Sequence, residues 1–228
     1  MLFLTKRHLK TNSFNEVEFF YLRFFYNKNV LVPRLETESL VREAIKIIKQ
    51  NNIDVLIDVW LWSWIIPISI EKNVQINKIY WLEKSSRAIE IALINAKKHN
   101  SKLEILTSDL LSVFLKENSF DFKGKQILIT ANLPYVKNWD WINMSEDTRF
   151  EPKMALFWWQ KTGFELYKKF YKQVLQFKDK FKLNKIIVIT EIGFDQRKIA
   201  KDFLNKNLIN SKFIPDLSGI QRFIISEI

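Results

Sequence analysis

Gln126-Ile127-Leu128-Ile129-Thr130-Ala131-Asn132-Leu133-Pro134-Tyr135 decides how this chain is read. Ile127 to Ala131 are mostly apolar and β-branched, and Pro134, with no N–H to give a sheet ladder, ends the run. That pattern predicts a strand buried on both faces, emerging at the carboxyl edge of a parallel sheet. Ligands of open α/β sheets bind outside that edge. There Asn132 offers a side-chain carbonyl, Leu133 and Pro134 offer backbone carbonyls, and Tyr135 offers a flat face. Such a set can hold a planar amide or amino group by its two N–H donors and cover it from one side. The same four residues also read as a plain strand-to-turn exit, so their neighbours must decide.

Working outward, Val55 to Val59, Lys78 to Glu83, Leu103 to Thr107 and Lys185 to Ile192 read as further strands, several with the continuous apolar character of central parallel positions. Helical spacing runs from Glu36 to Gln50, opened by Thr37 as a cap. It recurs from Ser85 or Ser86 to about Asn100 (Ala88, Ile91, Ala92 and Asn95 on one side), from Thr162 to Leu175 and from Phe194 to Leu208. Phe19 to Tyr26 reads as strand material, with a hairpin before Asn27, and Lys137 to Pro152 reads as a polar loop. Phe213 to Ser226 reads as two strands turning at Asp216-Leu217-Ser218-Gly219. Alternating strands and helices predict a doubly wound, Rossmann-like α/β sheet with a C-terminal antiparallel strand pair. Residues 1–30 form an N-terminal strand segment and residues 31–228 the sheet domain in this reading.

The 228 residues suffice for one such domain with a substantial core. No cysteine is present, which excludes a disulfide scaffold and thiolate chemistry and suits a reducing cytoplasm. The longest apolar run, Val55 to Ile70, contains Asp58 and falls short of the roughly 20 residues of a spanning helix, so no membrane segment is expected. A formal charge of +11 favours an anionic partner such as ribosome or RNA, although lysines on solvated helix faces, among them Lys168, Lys169 and Lys172, account for the excess equally well. His8 and His99 are too isolated to be metal ligands.

Three segments in order carry a family resemblance. Asn132-Leu133-Pro134-Tyr135 resembles the Asn-Pro-Pro-Tyr signature of S-adenosylmethionine-dependent methyltransferases that modify planar nitrogens. Pro33-Arg34-Leu35-Glu36-Thr37-Glu38 resembles the Pro-Arg-x-x-Thr-Glu signature of one branch, the HemK family of release-factor glutamine methyltransferases. Phe150-Glu151-Pro152, followed by Ala155-Leu156, resembles that family's aromatic-Glu-Pro segment. A cytoplasmic protein is expected from composition, its oligomeric state open with a monomer favoured; the resemblance implies an enzyme that methylates the side-chain amide of a glutamine in a translation protein, the Gly-Gly-Gln loop of a peptide-chain release factor first among them. It implies Asn132, Pro134 and Tyr135 as catalytic residues, Leu133 with them against the substrate, and Asp58, Glu83, Asp109, Leu110 and Asn132 around the cofactor. The departure at Leu133, where the family has its first proline, is mild if that contact is made by backbone oxygen. The family's N-terminal helical domain, which grips the protein substrate, has no expected counterpart in these residues.

One part of the resemblance is disturbed. The family's cofactor turn reads Asp-x-Gly-x-Gly-x-Gly, whereas this chain reads Asp58-Val59-Trp60-Leu61-Trp62-Ser63-Trp64. An indole at each glycine position fills cofactor space, and left-handed backbone is costly for any residue with a Cβ. The departure is systematic. Trp158-Trp159 stand where the family tends to place a glycine pair, Trp139 and Trp141 lie in the polar loop, and the chain has 8 Trp against 4 Gly. Globular chains average roughly 7% glycine. UGA codons that specify glycine in some bacterial lineages, written out as tryptophan, explain the inversion; a Trp-rich core or a decayed relative is the alternative. Built from these letters, the turn is expected to be distorted and the pocket blocked.

Two rival functions stay open from sequence. The acceptor can be the exocyclic amine of adenine in DNA or RNA, which the tetrapeptide and the charge also suit, though duplex DNA would require base flipping. If the tryptophans are real, the chain reads as a non-catalytic basic binding module.

Overall fold

The computed structural model describes residues 14–27, 30, 34–60, 64–136 and 161–228. Pro33, Trp62, the Lys137 to Pro152 loop, Trp158 and Trp159 therefore lie outside the described residues. Seven strands form one sheet in the order β5-β4-β3-β6-β7-β9-β8. They are β3 (Val55–Val59), β4 (Lys78–Glu83), β5 (Glu104–Thr107), β6 (Ile127–Ala131), β7 (Ile186–Glu191), β8 (Asn210–Pro215) and β9 (Gln221–Glu227). Strands β3 to β7 pair in parallel, while β9 runs antiparallel to both β7 and β8. The expected doubly wound sheet with its terminal antiparallel pair is present. Every residue of β3, β6 and β7 is buried, as central parallel strands covered on both faces require.

Helices follow the strands: α1 (Thr37–Asn51), α2 (Ile65–Glu71), α3 (Ser86–Lys98), α4 (Ser112–Lys116), α5 (Glu165–Phe181) and α6 (Arg197–Lys206). In α3 the buried residues are Ala88, Ile91, Ala92 and Asn95, as the spacing predicts. Two expectations are corrected. The cap of α1 is not Thr37: Glu36 holds that position without a side-chain cap, and the Thr37 hydroxyl donates instead to Glu191 at 2.9 Å. Helix α5 continues past Leu175 to Phe181, because Phe177 and Phe181 extend its apolar stripe into a cluster with Phe114 and Phe122. The apolar run after the turn folds as α2, buried from Ile65 to Ile70, with Pro67 tolerated in its first turn.

The aromatic run near the N-terminus is strand material with a hairpin before Asn27, as expected. It forms the hairpin β1 (Asn15–Phe19) and β2 (Leu22–Tyr26), with its turn at Phe20 and Tyr21, both at positive φ. Such turns usually take Asn-Gly, so the letters do not mark where within the run the turn falls. The buried Asn95 amide fastens this hairpin to α3, accepting from the Phe25 N–H and donating to the Phe25 carbonyl, each at 2.8 Å.

Candidate active site

The strand order reverses around β3: the chain goes out through β4 and β5 and returns to lay β6 on the other side. That topology places the carboxyl ends of β3, β4, β5 and β6 around one crevice, the usual ligand position of such sheets. Asp58 and Val59 end β3, Glu83 ends β4, Ser108 and Asp109 follow β5, and Asn132 to Tyr135 leave β6.

Among the described residues, three acids at this edge keep a buried oxygen with no hydrogen-bond donor: Asp58 Oδ2, Glu83 Oε2 and Asp109 Oδ1. Asp58 is wholly buried, and its other oxygen accepts from the hydroxyl of Thr130, its partner across the β3–β6 ladder. Burial pushes its carboxyl well above the ordinary range. At Glu83 burial likewise dominates, raising the carboxyl to about 8 against the opposing pull of the Ser85 and Lys84 N–H groups. Asp109 pairs with Lys169 on α5 at 2.7 Å through its other oxygen. Leu110, beside it, is buried at φ 56, its carbonyl accepting from the Ser108 hydroxyl at 2.6 Å. Polar groups buried without partners are costly, and at a strand-end crevice they mark where a ligand supplies the missing donors.

The Asn-Leu-Pro-Tyr corner is held from three directions. Glu191, ending β7, accepts from Asn132 Nδ2 at 3.0 Å and from the Tyr135 hydroxyl at 3.4 Å. From α5, Tyr167 donates to the Leu133 carbonyl at 3.0 Å and also meets the Glu191 carbonyl. Gln196, just ahead of α6, donates to the Tyr135 carbonyl at 3.0 Å and to the Thr162 carbonyl at 3.1 Å, while accepting from Gly193 N–H at 2.9 Å. Gly163 is required beside this junction: its φ is +75, and a Cβ there would collide with the Tyr135 carbonyl and the Gln196 amide. Burial pushes the Tyr135 phenol upward, with the nearby Glu191 adding to it, so the hydroxyl stays neutral.

The structure thus gathers Asp58, Glu83, Asp109, Leu110 and Asn132 to Tyr135 at one sheet edge. Trp60 and Trp64 flank the turn after β3. Trp60 is buried at φ 73, its backbone N–H donating to the Leu82 carbonyl at 3.1 Å, and Trp64 is wholly buried at the head of α2. Sequence reasoning missed Glu191, Tyr167 and Gln196. For Glu191 a signal existed: an acid closing an apolar strand, the same pattern that singled out Glu83.

No family model matches the chain. Curated relatives do. The release factor glutamine methyltransferase of Borreliella burgdorferi is 32% identical over 211 residues, covering 91% of this chain and 69% of that protein. The enzyme of the same name from Thermodesulfovibrio yellowstonii is 29% identical over 231 residues, covering 97% of this chain and 78% of that protein. Among solved structures, the hMettl16 catalytic domain superposes with a TM-score of 0.60 at 10% identity, covering 88% of this chain and 72% of that one. A ribosomal protein methylase from Lactobacillus delbrueckii gives 0.52 at 14% identity, covering 87% and 80%. These two share the fold with the chain. With the strand-end acids and the Asn-Leu-Pro-Tyr corner in place, the identity to the curated enzymes settles the family: this chain belongs to the release factor glutamine methyltransferases.

Proposed function

We propose that the protein transfers a methyl group from S-adenosylmethionine to the side-chain amide nitrogen of a glutamine in a peptide-chain release factor, in its Gly-Gly-Gln loop. The observation that carries this reading is the juxtaposition at one sheet edge of a planar-amide clamp, Asn132 to Tyr135, with buried acceptor oxygens on Asp58 and Glu83 that lack donors among the described residues.

Those acceptors fit the cofactor's donors. Glu83 would hold the two ribose hydroxyls, with Asp58 at the turn and Asp109 and Leu110 beside the adenine. The group supplies, when bound, a methyl on a positively charged sulfur. The turn fits the cofactor if positions 60, 62 and 64 carry glycine in the cell's own protein. The left-handed backbone of Trp60 supports that assignment, since this conformation costs about 1–2 kcal/mol for an L-residue with a Cβ and nothing comparable for glycine.

The chain's own residues would do the rest by orientation. An amide nitrogen is a poor nucleophile because its lone pair is delocalised into the carbonyl. Asn132 Oδ1 and a backbone carbonyl of Leu133 or Pro134 would each accept one N–H, fixing the nitrogen and favouring its lone pair. Tyr135 would pack on the amide plane. No strong base is needed, because the proton becomes acidic only once the nitrogen is alkylated, so the rate acceleration is one of positioning and electrostatic fit.

The test offers the authentic protein and labelled S-adenosylmethionine three acceptors side by side: release factor, ribosomal proteins and nucleic acid. Label on the release factor alone supports the reading. Label on adenine amino groups would favour the rival acceptor, and the chain's net charge of +11 is the feature that rival rests on.

A further inference from the structure

The Glu191 side chain ends β7 in a fully enclosed place, 1% exposed, and meets three donors there. Its Oε2 accepts from Thr37 Oγ1 at 2.9 Å and from Asn132 Nδ2 at 3.0 Å, and its Oε1 accepts from the Tyr135 hydroxyl at 3.4 Å. The charged groups around it are Arg34 and Glu36 ahead of α1 and Arg222 on β9. An ionised carboxylate can only accept. The Asn132 amide must therefore turn its NH2 to Glu191, and its Oδ1 is left pointing the other way. Shape alone does not select this orientation, because the oxygen and nitrogen ends of an asparagine amide are nearly the same size.

We propose that Glu191 is a positioning residue that sets the polarity of the Asn132 amide, so that the site presents a carbonyl and not an NH2 to the substrate nitrogen. This rests on the reading of Asn132 as the acceptor of a substrate N–H. With Glu191 protonated, its own O–H can donate to Asn132 Oδ1. The amide then reverses and sets a donor against the donor it is meant to receive. Burial raises the Glu191 carboxyl to about 7, with the Thr37 bond and the two arginines holding it down and Glu36 pushing it up. The competent form is the ionised one, so turnover rises with pH through that region. Thr37, which the sequence suggests as a helix cap, thereby tunes the site.

Three measurements test this. Glu191→Gln keeps the shape but can donate as readily as accept. Its kcat should fall on the order of 10²-fold, the usual consequence of a misoriented clamp, with S-adenosylmethionine affinity unchanged and the acid limb of the kcat profile gone. Thr37→Val removes one donor from the carboxylate, so the acid limb should move to higher pH while the protein stays folded. The Asn132 side-chain NH2 resonances, followed by 15N NMR without substrate, should titrate with the same midpoint, move upward in Thr37→Val and cease to titrate in Glu191→Gln. Wild-type kcat in Glu191→Gln, or an unmoved limb and midpoint in Thr37→Val, would overturn the proposal. The NMR titration needs no acceptor protein, so absence of glutamine methylation by the wild type would count against the function and not against this role of Glu191.

Discussion

Tyr167 on α5 donates its hydroxyl to the main-chain carbonyl of Leu133 at 3.0 Å, and the same oxygen meets the carbonyl of Glu191. One buried phenol thus ties the ends of β6 and β7 together beneath the Asn-Leu-Pro-Tyr corner. Tyr167→Phe removes the one O–H that serves this pair of buried carbonyls, and the expected loss is about 1–3 kcal/mol in urea unfolding. Unchanged stability would mean that the bond is not made in solution.

Asn132→Ala removes the side-chain carbonyl at the corner and leaves Asp58, Glu83 and Asp109 in place. The expected outcome is a fall in kcat on the order of 10²-fold or more, with S-adenosylmethionine binding nearly intact by calorimetry. Full activity in this variant would remove Asn132 from the chemistry.

The pH dependence of stability follows from Glu83. Its folded carboxyl is raised to about 8 from the 4.5 of an unperturbed glutamate. Between those values the folded state binds more protons than the unfolded chain, so Glu83 makes stability fall as pH rises from about 4.5 to about 8, and the buried Asp58 acts in the same direction. Glu191, raised to about 7, adds to the same slope over the lower part of that window. Glu83→Gln should flatten the slope in denaturant titrations of the cofactor-free protein. A rise in stability across this range would contradict the assignment.

Peptide mass mapping of protein isolated from its own cell should find glycine at positions 60, 62 and 64. A parallel pair made by expression, one with tryptophan and one with glycine at those positions, should differ in calorimetry: S-adenosylmethionine binds the glycine form and fails to bind the other. Authentic tryptophan at position 60 would end the glycine assignment.

Much of this site is legible in the letters because strand ends are. The apolar runs of β3, β4 and β6 stop at Asp58, Glu83 and Asn132, and a parallel sheet brings such stops to one edge. What the letters do not carry is the support behind them. Thr37 and Glu191 are 154 positions apart, and Asn132 and Glu191 are 59 apart, so only the folded sheet reveals that they share a proton network. Local rules gave Thr37 a cap that tertiary contact overrode. The Phe20-Tyr21 turn was hidden for a different reason: two aromatic residues occupy left-handed backbone where turn chemistry expects Asn or Gly.

The most direct test of the central claim is to locate the methyl group itself. Release factor incubated with the authentic protein and S-adenosylmethionine is digested, and the peptide holding the Gly-Gly-Gln loop is fragmented by mass spectrometry. The account predicts a single added methyl on the glutamine side-chain amide, absent when Asn132→Ala replaces the wild type. A methyl on any other residue, or an unmodified loop beside methylated nucleic acid, would contradict it.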